Sequence, residues 1–142
     1  MPMKFLRRTK MSVSIYLSHS IRGIKGVTAT VEDMQQNCNK AIAFGKLLQE
    51  RFGDCIYIPA EHEDFVGRAY EHKILTENEI LGVDCLIIKD KDILAVYAPD
   101  QYISHGMMVE ICFAQSRKIP VYFLFDESDI PGLESYIGGY VG

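Results

Sequence analysis

Apolar positions along this chain follow two rhythms. SVSIYL (12–17), CIYI (55–58), ILAVYA (93–98) and PVYFLF (120–125) are short runs of β-branched and aromatic residues, which read as buried strands. Between the first two, Met34, Cys38, Ala41, Gly45, Leu48 and Phe52 recur at steps of four and three, one face of an amphipathic helix. Thr30 with Asp33 has the spacing of a capping box at its start, and Gly53 ends it. A second helix is expected from Gly106 to Arg117, closed before Pro120 because the residue preceding a proline avoids helical geometry. Strands alternating with helices predict one parallel sheet covered on both faces.

Residues 70–92 admit two readings. Thr76 and Glu79 fit another capping box, which predicts a helix over about 77–90 carrying Leu81, Cys85 and Ile88 inward. Gly82 and the run Leu86, Ile87, Ile88 favour a strand paired as a hairpin with DILAVYA.

Length and composition narrow the class. A chain of 142 residues with 48% apolar residues suits a single domain with one substantial core. Its net charge of −4 opposes binding to a nucleic-acid polymer, although a local basic cluster still suffices for one small anion. Cys38, Cys55, Cys85 and Cys112 are widely spaced with no CxxC pair, and three of them sit in apolar periodic runs, so they read mainly as core thiols of a protein in a reducing, cytoplasmic compartment. No apolar run reaches the roughly 18 residues of a membrane span. The start, MPMKFLRRTK, lacks the apolar core of a secretory signal, so residues 1–11 read as a flexible basic tail before a domain over 12–142.

Ligands of open α/β sheets bind beyond the carboxyl ends of the strands, which directs attention to three polar loops. The first offers Ser18, His19, Ser20, Arg22 and Gly23; the second Glu61, His62 and Glu63; the third Asp100, Ser104, His105 and Gly106. Arg22 with two serines beside glycines has the makings of a small phosphate cradle, since the guanidinium is a bidentate donor and glycine lets backbone N–H groups approach. Glu110, among Met107, Met108, Val109, Ile111 and Cys112, is expected in the first turn or so of its helix, held at the pocket mouth as an ionised nucleophile. Its plain alternative is a solvated acid that favours the helix dipole. No histidine or cysteine spacing suits a metal, no GxSxG elbow marks a nucleophilic serine, and GIKG is neither a Walker loop nor GxGxxG.

IYLSHSIRG (15–23) and SHGMMVEICFAQSRKIPVYFL (104–124) together resemble the nucleoside 2-deoxyribosyltransferase family and its branch of 2′-deoxynucleoside 5′-phosphate N-hydrolases. The family's loop like YxxxSIRG is matched by Tyr16, Ser20, Ile21, Arg22 and Gly23. Its S/D-x-G-x-x-x-E-x-G-x-A segment is matched by Ser104, Gly106, Glu110 and Ala114, with Cys112 in place of the second glycine. DCLIIKDKD (84–92) matches the family's DLxxLxxAD helix through Asp84, Ile88 and Asp92, 26 residues separating Asp84 from Glu110, and this tips the ambiguous segment toward helix.

The resemblance implies a single-domain, doubly wound, five-stranded parallel sheet of order 2-1-3-4-5, flavodoxin- or Rossmann-like, with helices on both faces. It implies Glu110 as nucleophile on C1′ of a nucleotide and Asp84 as the acid that protonates or positions the leaving base. Tyr16 would pack against sugar or base, and Ser20, Arg22, Gly23, His62, Ser104 and Gly106 would contact substrate. Ser104, where nucleoside transferases carry an acid, favours a 5′-monophosphate. No cofactor or metal is implied, and a homodimer or larger assembly is, with Met107, Met108 and Phe113 as candidate contacts. The alternatives are a base-exchanging deoxyribosyltransferase, a Toll/interleukin-receptor-type NAD hydrolase and an inactive nucleotide-binding module.

Overall fold

The computed structural model describes residues 13–53, 55–62 and 76–141. The basic tail over 1–11 and the rest of the polar loop from Glu63 onward lie outside them. The chain runs β1 (Ile15–Ser18), α1 (Val31–Phe52), β2 (Ile56–Tyr57), α2 (Glu77–Ile88), β3 (Ile93–Tyr97), α3 (His105–Ser116), β4 (Val121–Leu124) and α4 (Ile130–Val141), with short 3-10 turns at Gly23–Thr28, Pro59–His62 and Glu127–Asp129. Among the described residues no helix is long and apolar enough to cross a membrane.

All three strand pairings are parallel, in the order β2-β1-β3-β4. The alternation of β1 divides its residues between two cores. Val13, Ile15 and Leu17 pack with Ala41, Phe44 and Leu48 of α1 and with Leu133 and Ile137 of α4. Tyr16, with Leu94 and Val96 of β3, packs with Ile88 of α2 and with Met107, Ile111 and Ala114 of α3. Helices therefore cover both faces of a doubly wound sheet, as the alternating pattern predicts.

The expected fifth strand is not found among the described residues; the sheet has four. After β4, the Asp129 carboxylate accepts the Phe125 and Asp126 amides at 2.8 and 3.2 Å, turning the chain out of the sheet. Ile130, Leu133 and Ile137, spaced three and four apart, are all buried, so the segment beyond this turn packs as a helix.

Residues 77–88 are helical, which decides the ambiguous segment. Thr76 Oγ1 accepts the Glu79 amide at 3.1 Å while Glu79 Oε1 accepts the Thr76 amide at 2.9 Å, two otherwise orphaned donors satisfied at once. Ile88 is buried, Leu81 and Cys85 half-buried and Leu86 exposed, which is the inward face the helix reading predicts. At the end of α1, Gly53 has φ of 90°, a left-handed conformation suited to glycine. Within α1, a Cβ on Gly45 would overlap the Ile58 side chain, so glycine there lets the helix approach the end of β2.

Candidate active site

The order of the sheet changes direction between β1 and β3, the position where open α/β sheets gather ligands. Glu110 reaches this crossing from α3. Ser104 caps that helix by accepting the Met107 amide at 3.2 Å, and Met107, Glu110, Ile111 and Ala114 form its buried stripe. Glu110 consequently lies in the second turn, not the first, and its side chain is only 6% exposed. Both sequence-based expectations, a first-turn nucleophile at the pocket mouth and a solvated first-turn acid, are corrected by this burial. The helix starts at His105, one residue earlier than the pattern suggests, and its apolar phase carries Glu110 inward.

Burial of a carboxyl demands partners, and β1 supplies two. Tyr16 Oη donates to Glu110 Oε2 at 2.8 Å and Ser18 Oγ donates to Glu110 Oε1 at 2.6 Å. Ser18 and Tyr16 are themselves fully buried, so the donors are desolvated together with the carboxyl they hold. Asp84, half-buried on α2, lies close enough to Glu110 and Tyr16 for both to act on its carboxyl. Asp84 and Glu110 thus stand together on one face of the sheet.

Burial governs the protonation of this cluster. It raises Glu110 well above the ordinary carboxylate range; the Ser18 and Tyr16 hydroxyls oppose that rise, and the Asp84 charge and hydrogen bonding to Asp84 add to it. Asp84 is raised too, again first by burial, with hydrogen bonding to Glu110 and Tyr16 pulling the other way. Two neighbouring carboxyls resist ionising together, so the pair retains a proton at pH values where isolated carboxylates have lost theirs. Tyr16 is held protonated by burial and then by the Glu110 and Asp84 charges, and Cys85 is raised for the same reasons in the same order.

This arrangement makes stability depend on pH with a definite sign. An acid whose folded pKa is raised retains its proton when the unfolded chain has lost it, so its stabilising contribution is complete below about pH 4 and falls as pH rises. His19 acts oppositely between about pH 4 and 6.5, because burial lowers it to about 4 and it stays neutral in the fold. Comparing wild type with Glu110→Gln cancels the histidine. The stabilisation of the variant relative to wild type should grow by about 1–3 kcal/mol between pH 5 and 8, read from thermal unfolding. A constant difference across that range would contradict the buried, proton-retaining carboxyl.

The other expected site residues fall into three places. Tyr16 is completely buried, its hydroxyl on Glu110 and its ring stacked on Tyr57 at 5.4 Å. His62 stacks in turn on Tyr57 at 4.9 Å, so that Tyr16, Tyr57 and His62 form an aromatic row that begins beside Glu110. Ser20 and Gly23 belong to one turn, in which the Gly23 amide donates to Ser20 Oγ at 2.8 Å and Gly23 has φ of 67°. They line a cleft with His19, Asn37, Tyr97 and Asp100 on the α1 face of the sheet, opposite the face that carries Glu110. Neither nitrogen of His19 finds a hydrogen-bond partner in good geometry there.

Arg22 is exposed and makes no ion pair among the described residues, with Asp100 or otherwise. Ser104 serves α3 as its cap, which engages its oxygen and leaves its hydroxyl proton to donate. Gly106 faces Leu81 of α2. Of the candidate contacts between copies, Met107 is buried and Phe113 packs partly in the core, while Met108 stays exposed. Cys38 is buried, Cys85 half-buried and Cys112 exposed, so the last is not a core thiol.

Ser18 is the member of the cluster that motif reading passes over. The signal is nonetheless present, because a strand returns to the same face every second residue and Ser18 stands two after Tyr16. Tyr57 is reached the same way, through its parallel register with Tyr16. No group of three His, Cys, Asp or Glu side chains among the described residues is placed to hold a metal. Compared with known proteins, the chain matches no family model, no curated protein and no solved structure.

Proposed function

We propose that this protein is an N-glycosidase that cleaves the base–sugar bond of a nucleoside 5′-monophosphate, with Glu110 as nucleophile and Asp84 as acid. The observation that carries the reading is the meeting of these two carboxyls, both raised by burial, at the β1–β3 crossing. In the first step a Glu110 oxygen bonds to C1′, the C1′–N bond breaks, and the departing nitrogen takes the proton held by Asp84. In the second, water adds to C1′, gives a proton to Asp84, and the ester bond to Glu110 breaks. In the base-exchanging variant a second base replaces the water. The homo-oligomer belongs to the same reading, with Val83 and Leu86 of α2 and Met108 of α3 as exposed apolar residues on the helices that carry the pair.

A non-catalytic nucleotide-binding module is the second reading. It is favoured by the state of Glu110, whose two oxygens are both hydrogen-bonded and whose side chain is 6% exposed. Incubation with nucleosides, their 5′-monophosphates and NAD, followed by chromatography of free base, separates the readings. Base released from monophosphates is the expected result; nicotinamide release from NAD alone, or no release at all, would reject it.

Arg22 decides the choice between nucleotide and nucleoside in this scheme. It is an unpaired guanidinium among the described residues, on the loop that leaves β1. A charge-assisted contact to an anion contributes about 1.5–3 kcal/mol, so Arg22→Ala should lower kcat/KM on monophosphates by roughly ten- to a hundredfold. Turnover of the unphosphorylated nucleoside should change little. Equal losses on both substrates would remove the phosphate assignment.

A further inference from the structure

We infer that the Ser18 hydroxyl is the positioning group that biases the proton shared by Glu110 and Asp84 away from Glu110, favouring Glu110 as the nucleophile and Asp84 as the acid. The assignment of roles rests on the glycosidase reading; the distribution of the proton does not.

The two carboxyls are desolvated unequally. Glu110 is buried while Asp84 is half-buried, so desolvation alone disfavours the ionised form of Glu110 more strongly. Left to burial, the proton would reside on Glu110, which would then be a poor nucleophile. Hydrogen bonds donated to a carboxylate oppose this, but the single hydroxyl proton of Tyr16, donated to Glu110 at 2.8 Å, also favours the ionised form of Asp84, so it discriminates weakly. Ser18 donates at 2.6 Å to Glu110 Oε1 and makes no hydrogen bond to Asp84. It is completely buried and follows Tyr16 by one strand repeat, so its position is set by the sheet and not by a mobile loop.

The remaining surroundings do not supply a substitute. On α2 the titratable groups near Glu110 are Asp84 and Cys85, and both add negative potential when ionised. On β2, Tyr57 responds to the Asp84 charge from the far side of Tyr16. β3 presents Leu94 and Val96 to this core, with Ala98 just beyond its end, and β4 presents Val121. Among the described residues no cation is paired with either carboxyl. Ser18 is therefore the neutral donor that favours ionisation of one carboxyl and not the other.

The test reads both carboxyls directly. Carboxyl carbons labelled with ¹³C are titrated by NMR in wild type, Ser18→Ala and Ser18→Cys, with Glu110→Gln and Asp84→Asn used for assignment. Loss of a charge-assisted donor should raise the Glu110 midpoint by roughly one to two pH units in Ser18→Ala, while the Asp84 midpoint stays or falls. Ser18→Cys, close in size but a weak donor, should lie between. Unchanged midpoints, or two carboxyls rising together as a loosened core would make them, overturn the inference. In kinetics on a 5′-monophosphate, Ser18→Ala should lose about tenfold or more in kcat/KM at pH 7 and regain activity as pH rises toward the new Glu110 midpoint. A loss equal at every pH overturns the role assignment. If wild type releases no base, the glycosidase reading fails, and the titration still decides where the proton resides.

Discussion

Glu110→Gln should reduce base release from a nucleoside 5′-monophosphate by about a thousandfold or more, with the fold preserved. An amide of the same shape has no anionic oxygen to bond with C1′, yet it fits the space and meets the hydroxyls of Tyr16 and Ser18 that hold the carboxyl at 2.8 and 2.6 Å. Alanine is the poorer test, because Glu110 is 6% exposed and its removal strands two buried hydroxyls beside a cavity. The measurement is single-turnover release of base by chromatography, with thermal unfolding in parallel. Turnover within a few-fold of wild type in a folded Glu110→Gln protein would dismiss the nucleophile.

Asp84→Asn should lower the same activity by about a hundred- to ten-thousandfold, the usual contribution of a positioned acid. The loss depends on the leaving group. A natural base departs with its electron pair only when protonated, whereas an electron-poor nitrophenolate in its place departs unaided. The Asn variant should therefore recover most of its first-step rate on a nitrophenyl deoxyriboside 5′-phosphate, while Glu110→Gln recovers none. Asp84 is suited to this role because burial raises it while it stands beside Glu110. Equal losses on both leaving groups would show that Asp84 only holds the cluster together.

The segment around Asp84 illustrates how far local signals reach. Three consecutive aliphatic residues, Leu86 to Ile88, suggest a strand, yet the chain is helical from Glu77 to Ile88. The capping box of Thr76 and Glu79 is a local hydrogen-bonding device, legible in four residues, and it starts the helix in the phase that buries Ile88 and exposes Leu86. The expected fifth strand, not found among the described residues, failed for the opposite reason. It was expected from resemblance in other segments, whereas the spacing of Ile130, Leu133 and Ile137 is that of a helix face.

For this protein, sequence alone determined the alternation of strands and helices, the caps at Thr30 and Thr76 and the end of α1 at Gly53, since these depend on periodicity and on hydrogen bonds spanning three or four residues. It also singled out Glu110, Asp84 and Tyr16, but left their surroundings open. The tertiary structure decided that Tyr16 and Ser18, separated from Glu110 by 94 and 92 residues, donate to the same carboxyl. It likewise set Ser20 and Gly23 on the opposite face of the sheet, in a cleft with His19. Only the assembled sheet brings such distant side chains into hydrogen-bond contact and removes their water, and it is desolvation and contact, neither of them encoded in any local period, that set where a proton rests.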